Sequence, residues 1–463
     1  MLKRIYAVAR KTWSEAFHNR AVLLIMLLFV FLLPALPFLV KGDGTQKGLV
    51  QLILTYTFLL AHLLISVLTC VLATSTVCGE IERKEVHITD TKPLRRWEFL
   101  FGKWLGVLTL DALLLLLIGS VSYGVTLHAA RRGGPGDAGQ EEAFQEVLVS
   151  RRPTPARAIL AEDKIREAAV QELEAMRERG DIDPRVREEA LLASLEAKYE
   201  KWARNIPPGA RARWMASGLR PARDESESIH VRYTYQSSEG EPFGEQDTIH
   251  GLWRIGSPET ALYQMRVDAT PGTPHEFEVP AKAIGEDGTL ELQFVHESPI
   301  LAIFQEENVQ VLQGRGPFYL NEAKALLLLL FQAAFLAAFA VAVSTYLTFP
   351  VAALSMFVVL VACLAGEGVA DLIETSALVQ PLPLPGRSRY VVDRGLRVFL
   401  NAVLTVLPKF GSYTPIDLLI TGREIPLSLV AQAAAFLVIV RGGAVAAVGC
   451  LIYRFRELAR VIA

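Results

Sequence analysis

The residues with most chemical potential in this chain are ionisable groups placed where charge is costly. Between two long apolar runs lies "CGEIERKEVHITDTKPLRRWEFLFGK", residues 78–103, which mixes Glu80, Glu82, Glu85 and Glu98 with Arg83, Lys84, Lys92, Arg95, Arg96 and Lys103. A second set lies inside apolar runs: Asp111, Arg441, and Glu367, Asp371 and Glu374 at i, i+4 and i+7 on one helical face. Ionisable groups inside a membrane pair with one another or mark a functional path. A partner is therefore expected for Arg441, with Asp111 or Glu367 as candidates. His62, alone in its apolar run, suits an interhelical hydrogen bond better than a ligand role.

No conventional catalytic set accompanies these charges. The four cysteines (Cys70, Cys78, Cys363, Cys450) lie in or beside apolar runs, which provides no disulfide framework and no metal spacing. His230, His250, His275 and His296 are scattered. No Gly-x-x-x-x-Gly-Lys-Ser/Thr loop occurs, so ATP is not expected to bind the chain in that way. A net charge of −2 without a basic, aromatic-interleaved stripe excludes a nucleic-acid partner.

The elements that must position these charges are membrane spans. Of the 463 residues 51% are hydrophobic and 21% charged, but the two kinds are segregated along the chain. Apolar runs of about 20 residues or more predict six spans at 21–40, 50–78, 100–128, 322–347, 350–373 and 426–452. The first run fits a retained signal anchor, because the small-residue cleavage site of a signal peptide is missing. Residues 391–409 carry Asp393, Arg394 and Arg397 and suit an interfacial or re-entrant segment, within an irregular stretch of about 377–425. Lys/Arg enrichment in 1–20, in the 79–99 loop and at the C-terminus places all three in the cytoplasm, which requires an even span count. Residues 129–320 are then extracytoplasmic.

Residues 1–20 place Ile5, Val8, Ala9, Trp13, Ala16 and Phe17 on one arc, with Lys3, Arg10, Lys11 and Ser14 away from it, as in an interfacial amphipathic helix. In the external block, two helical stripes over about 155–205 (Ile165, Ala169, Leu173, Met176; Val186, Ala190, Leu195, Tyr199, Trp202) predict a hairpin. From about 228 to 315 the period changes to two in "IHVRYTYQ", "LYQMRVDA", "HEFEV", "TLELQFV" and "NVQVL", which predicts a β-sandwich. The expected fold is thus a polytopic α-helical membrane protein, six transmembrane helices, with an α+β extracytoplasmic domain.

The charged loop has a partial explanation in topology, since positive-inside placement accounts for its Arg and Lys residues. It does not require the four Glu residues. With the amphipathic spacing of Ile81, Val86 and Ile88 and the stop at Pro93, they suggest a short surface helix able to dock a soluble partner. At this point the chain resembles the permease subunits of type-2 ABC exporters, in the bacterial subgroup with a large extracytoplasmic insert. The likeness lies in the amphipathic leader, Gly79-Glu80-x-Glu82, Thr91-x-Pro93-x-x-Arg96, Glu98 and Gly102-Lys103. In the second half it lies in "GPFYLNEAK", "YLTFPVAAL" and "LPKFGSYTPIDLLITGREI". Lys84-Glu85 stands where that family has Gly-Thr, and Arg95 where it has Ser.

The resemblance implies a permease dimer, homo- or heteromeric, in the bacterial cytoplasmic membrane. Each half would receive a separate cytoplasmic ABC ATPase on the 79–99 loop. Glu80, Glu82, Arg83 and Lys84 would form the coupling surface, flanked by Arg95, Arg96 and Glu98. No cofactor is expected on the chain itself; ATP and Mg would be held by the ATPase. Membrane lipid and an extracytoplasmic partner protein complete the expected contacts. The alternative is a polytopic scaffold or sensor whose external sandwich binds a partner without transport.

Overall fold

The computed structural model describes residues 1–39, 45–83, 95–131, 143–160, 162–179, 188–222, 227–237, 248–256, 263–299, 301–305, 308–375 and 407–455, with a few positions between 394 and 400. The chain divides into two compact units, Met1–Ser150 with Gly316–Ala463, and Arg151–Arg315.

In the first unit, helix α1 (Leu2–His18) is amphipathic and buries Ile5, Ala9, Thr12 and Ala16. Its buried face is narrower than the expected arc, because Phe17 is exposed. After Asn19 follows α2 (Arg20–Leu39), and then α3 (Gln46–Glu82), begun by the Thr45 hydroxyl accepting from the Gly48 amide at 3.0 Å. At 1.5 Å per residue α3 is about 55 Å long. That exceeds the ~30 Å hydrocarbon thickness, so the charged end carrying Glu80 and Glu82 lies beyond the apolar stretch. Helix α4 (Arg96–Ala130) returns, opened by Glu98 accepting the Arg95 amide at 3.0 Å.

α1 lies directly on α4 because α4 has glycines at the crossing. A Cβ on Gly102 would sit 2.7 Å from Val8 Cβ, and one on Gly106 2.7 Å from Thr12 Cβ. Two small residues four apart let helices approach closely. The indole of Trp13 donates to Gly106 O (3.1 Å) and to Thr109 Oγ1 (2.9 Å), fixing α1 along the axis.

The second unit holds strands β1 (Val149–Pro155) and β2 (Arg157–Ala158), the helices α5 (Glu162–Arg179) and α6 (Glu188–Ala203), and then β3 (Asn205–Ile206), β4 (Arg211–Ala216), β5 (Ser228–Tyr233), β6 (Gln236–Ser237), β7 (Ile249–Ile255), β8 (Tyr263–Ala269), β9 (His275–Pro280), β10 (Leu290–His296), β11 (Ala302–Ile303) and β12 (Val309–Pro317). Three sheets form, in the orders β1-β12-β5-β9, β2-β4-β10-β7-β8 and β3-β11-β6. The two larger sheets share one apolar core. Trp253 of β7 is its centre, with ring centroids 5.1 Å from Tyr233, 5.5 Å from Trp214 and 5.0 Å from Phe294. The quoted alternating stretches fall on β5, β8, β9, β10 and β12, while β4 ("RARWMA") and β7 ("IHGLWRI") also alternate and add two strands to the sheets. α5 and α6 pair through Lys198 and Glu172 (2.8 Å) and bury only Ala169 and Leu195.

The chain then returns to the first unit. Helix α7 (Phe318–Ser344) is buried along most of its length, α8 (Phe349–Thr375) follows, and a short α9 (Ile416–Ile420) precedes α10 (Leu427–Phe455). α10 widens into π-helical geometry over Ala434–Gly442, the stretch that holds Arg441. Among the described residues five helices are long and apolar enough to cross a membrane: α3, α4, α7, α8 and α10. The sixth expected span, 21–40, falls on α2, a helix of 20 residues that is not among those five and several of whose side chains lie outside the described residues.

The irregular stretch 407–425 packs Leu407, Phe410, Ile416, Leu419 and Ile425 into the helical core. Non-helical backbone within a membrane unit needs internal hydrogen bonds, and side chains supply them. Gln332 donates to Tyr413 O (3.3 Å), Gln51 donates to Ile420 O (3.1 Å), and Asn321 donates to Arg423 O while accepting from the Ile425 amide (both 2.7 Å).

Candidate functional site

The charged loop's own centre, 84–94, lies outside the described residues, and with it Lys84 and Pro93. Its two rims are described, and they are organised by an ion-pair cluster that also draws in α1. Lys103, fully buried, places Nζ 2.9 Å from Glu80 Oε1 and 2.6 Å from Glu15 Oε2. Lys11 Nζ reaches the same Glu80 oxygen at 2.7 Å and Glu15 Oε1 at 3.6 Å. Two lysines thus neutralise two glutamates contributed by three helices: α1, the end of α3 and the first turns of α4. A buried charge persists only when paired in this way.

Burial raises the Glu15 carboxyl above its ordinary value of 4.5, against the lowering effect of Lys103. The cluster therefore holds its charges at a desolvation cost, which makes each partner depend on the others.

The expected coupling residues separate into two kinds. Glu80 and Glu98 are buried, Glu80 in the cluster and Glu98 at the start of α4 with Arg4 Nη1 3.8 Å away. Arg96 turns to the end of α10, donating to Tyr453 O and Arg454 O at 2.8 Å each, with its guanidinium 5.5 Å from the Tyr453 ring centre. A cation over terminal carbonyls satisfies groups that a helix end leaves unpaired. Glu82, Arg83 and Arg95 are exposed. Beside them a cavity of about 360 Å³ opens between α1 and α3, lined by Ser14, Glu15, His18, Thr76, Glu80 and Arg83 among others.

Among the described side chains the intramembrane candidates do not converge. Asp111 is fully buried and accepts from the Thr69 hydroxyl at 2.8 Å. Glu367 is exposed, and a Cβ on Gly411 would collide with its carboxylate, so the two lie in contact. Among the described residues no ion pair joins Arg441 to Asp111 or Glu367, so the expected partner for Arg441 is neither of them. Asp371 and Glu374 are helical, but their side chains lie outside the described residues. His62 packs beside Phe410 with the rings tilted by 46° and their centroids 6.0 Å apart.

Sequence reasoning missed Lys11, Glu15 and Lys103 as partners of Glu80. Lys11 lies off the apolar arc and suited headgroups. It turns to Glu80 because α1 is held down on α4 by the two glycines, which brings its flank over the end of α3.

The same helices carry the likeness to known proteins. Residues 6–145 match the family described as ABC-2 family transporter protein. The chain is also 30% identical over 118 residues to the probable ABC transporter permease protein NosY of Stutzerimonas stutzeri, an alignment that covers 25% of this chain and 43% of that relative. The chain thus spans less than half the length of the curated relative it matches. Its apolar helices make the chain a multi-pass membrane protein, and over residues 6–145, which hold the charged junction of α1, α3 and α4, it is similar to the ABC-2 family transporters.

Proposed function

We propose that the chain is the transmembrane permease subunit of an ATP-binding-cassette exporter, working as a dimer with a separate cytoplasmic ATPase docked on the 79–99 loop. The observation that carries this reading is the Lys103 cluster. It fastens the two rims of the loop to each other and to α1, so a force applied to the loop reaches α3, α4 and the interfacial helix together. A loop hanging on two independent helix ends would absorb that force instead. The docking contacts are then the exposed rim residues Glu82, Arg83 and Arg95, together with Lys84. The buried Glu80 and Glu98 and the half-buried Arg96 hold the platform in shape. The NosY relative is itself named a probable ABC transporter permease, which supports the same assignment.

In this reading ATP and Mg belong to the ATPase, and the chain hydrolyses nothing. α2 supplies a sixth span; the cluster side of the membrane, the N-terminus and the C-terminus are cytoplasmic, and the Arg151–Arg315 unit lies outside, in a bacterial cytoplasmic membrane. The test is co-expression of the chain with ABC ATPases of its own genome, followed by affinity purification and ATPase assay in nanodiscs. An ATPase should co-purify, and Glu82→Lys with Arg83→Glu should abolish its stimulation while leaving the folded permease intact. Failure of any ATPase to co-purify, or full stimulation by the double reversal, overturns the assignment of the loop.

A further inference from the structure

The Arg151–Arg315 unit contains a cavity of about 490 Å³ between the end of α6 and the strands β2 and β4. Its wall carries Arg157, Arg204, Arg211 and Arg213 against a single carboxylate, Glu200. Glu200 is already engaged by Arg204, Oε1 to Nη2 at 2.6 Å, and Arg213 has Glu291 at 3.7 Å. Among the described residues Arg157 and Arg211 have no ion-pair partner, although both line the cavity and both are exposed.

The strand register explains why these guanidinium groups gather. β4 alternates, sending Ala212, Trp214 and Ala216 inward and Arg211, Arg213 and Met215 outward. β2 pairs with it so that Arg157 stands opposite Met215, on that same outward face. Across the sheet the row through Arg213 continues to Gln293, Arg254 and Gln264 without an acidic residue. The cavity therefore lies at the arginine-rich edge of this face, where Glu291 of the neighbouring row is already engaged by Arg213. Buried Trp214 and Phe304 and the side chain of Ile159 form an apolar wall, which lowers the local dielectric and strengthens any charge contact made there.

Like charges gathered on one face repel one another, a cost that an anion would relieve. Arginine's planar fork donates two parallel hydrogen bonds to phosphate or carboxylate oxygens. We propose that this cavity is a binding site for an oligoanion carrying at least two phosphate or carboxylate groups, held chiefly by Arg157 and Arg211 with Arg213 beside them. This goes beyond the permease assignment and does not depend on it, since it concerns only the unit that holds the sheets.

The experiment is isothermal titration of the purified full chain in phosphatidylcholine nanodiscs, with tripolyphosphate in one arm and citrate in the other. At least one of the two should bind, more weakly as salt rises, and Arg157→Gln/Arg211→Gln should weaken it at least about tenfold. Arg157→Lys/Arg211→Lys, which keeps charge but loses the fork, should fall between. Arg166→Gln, which removes an exposed charge from α5, should change nothing, and unaltered melting of each variant shows that the fold survives. Which arm binds identifies the anion. Absence of binding in both arms, or undiminished affinity in the double glutamine variant, overturns the site.

Discussion

Replacing Lys103 with methionine tests the physical core of the site. Methionine keeps an unbranched stem, so the close approach of α1 to α4 survives while the ammonium is lost. Two carboxylates then face each other in a desolvated space: Glu80, which is 3% exposed, and Glu15, whose Oε2 lay 2.6 Å from the lost nitrogen. Removing one partner of a buried ion pair costs about 3–5 kcal/mol. Lys11 remains 2.7 Å from Glu80, so the low end, about 3 kcal/mol, is expected for Lys103→Met. By the usual scaling with chain length that lowers the melting temperature in detergent by roughly 3–5 °C. The informative variant is the double one, Glu80→Gln/Lys103→Met, in which no buried carboxylate is left on α3. It should melt above Lys103→Met alone, with a coupling of about 1–3 kcal/mol in the cycle. A Lys103→Met protein that melts with the wild type, or single effects that add to within about 0.5 kcal/mol, would refute the claim that the cluster acts as one unit.

Four further outcomes follow from single contacts. Glu15→Gln should flatten the pH dependence of melting above pH 4.5. Its raised carboxyl binds a proton more tightly folded than unfolded, so its contribution falls as pH climbs above the ordinary 4.5, and an amide has no such slope. Gly106→Ala places a Cβ 2.7 Å from Thr12 Cβ and should cost about 1–3 kcal/mol by overpacking, read as faster amide exchange over Leu2–His18. Arg96→Gln loses two charged hydrogen bonds to the end of α10, each about 1.5–3 kcal/mol, and should raise exchange near Tyr453 while leaving α1 unchanged. Gly251→Ala drives a methyl to 2.3 Å from the Phe294 ring and should destabilise the Arg151–Arg315 unit by about 1–3 kcal/mol, seen as earlier proteolysis within β7 and β10.

Much of the architecture was legible because it depends on periodicity. The apolar runs at 50–78, 100–128, 322–347, 350–373 and 426–452 fall on five spanning helices, and "TLELQFV" alternates onto β10 with Leu290, Leu292 and Phe294 buried. β4 went unseen because Arg211 and Arg213 are charged, although period two is present once Trp214 is taken as the inward anchor. What no period encodes is which charge meets which. Glu80 and Lys103 are 23 positions apart and Lys11 is farther still, and their meeting depends on Gly102 and Gly106 letting α1 settle onto α4. Glycine pairs on a helix were the available signal, since Gly102-Lys103-x-x-Gly106 combines the crossing point with the buried cation. The partners of the 407–425 backbone were equally unreadable, because Gln51, Asn321 and Gln332 are ordinary polar residues until an irregular segment lies beside them.

Charge of both signs in a short loop admits two physical uses, and the structure separates the residues into a buried and an exposed group that would suit one use each. Glutamates that merely dock a partner should face water, where they steer encounter and set orientation. Glu80 and Glu98 do not; they face α1 and the start of α4, where an unpaired carboxylate would be costly. Their placement makes the interfacial helix part of the loop's foundation, because α1 cannot leave α4 without exposing Lys103 and stranding Glu80. In the proposed reading docking falls to the exposed Glu82, Arg83 and Arg95, whose charges can be reversed without disturbing any buried pair. The two groups are therefore separable by experiment. Substitutions in the first should change melting and α1 exchange before they change association, and substitutions in the second should change association alone. Loss of folding on reversing Glu82 and Arg83, with docking intact on disrupting Glu80, would invert this assignment.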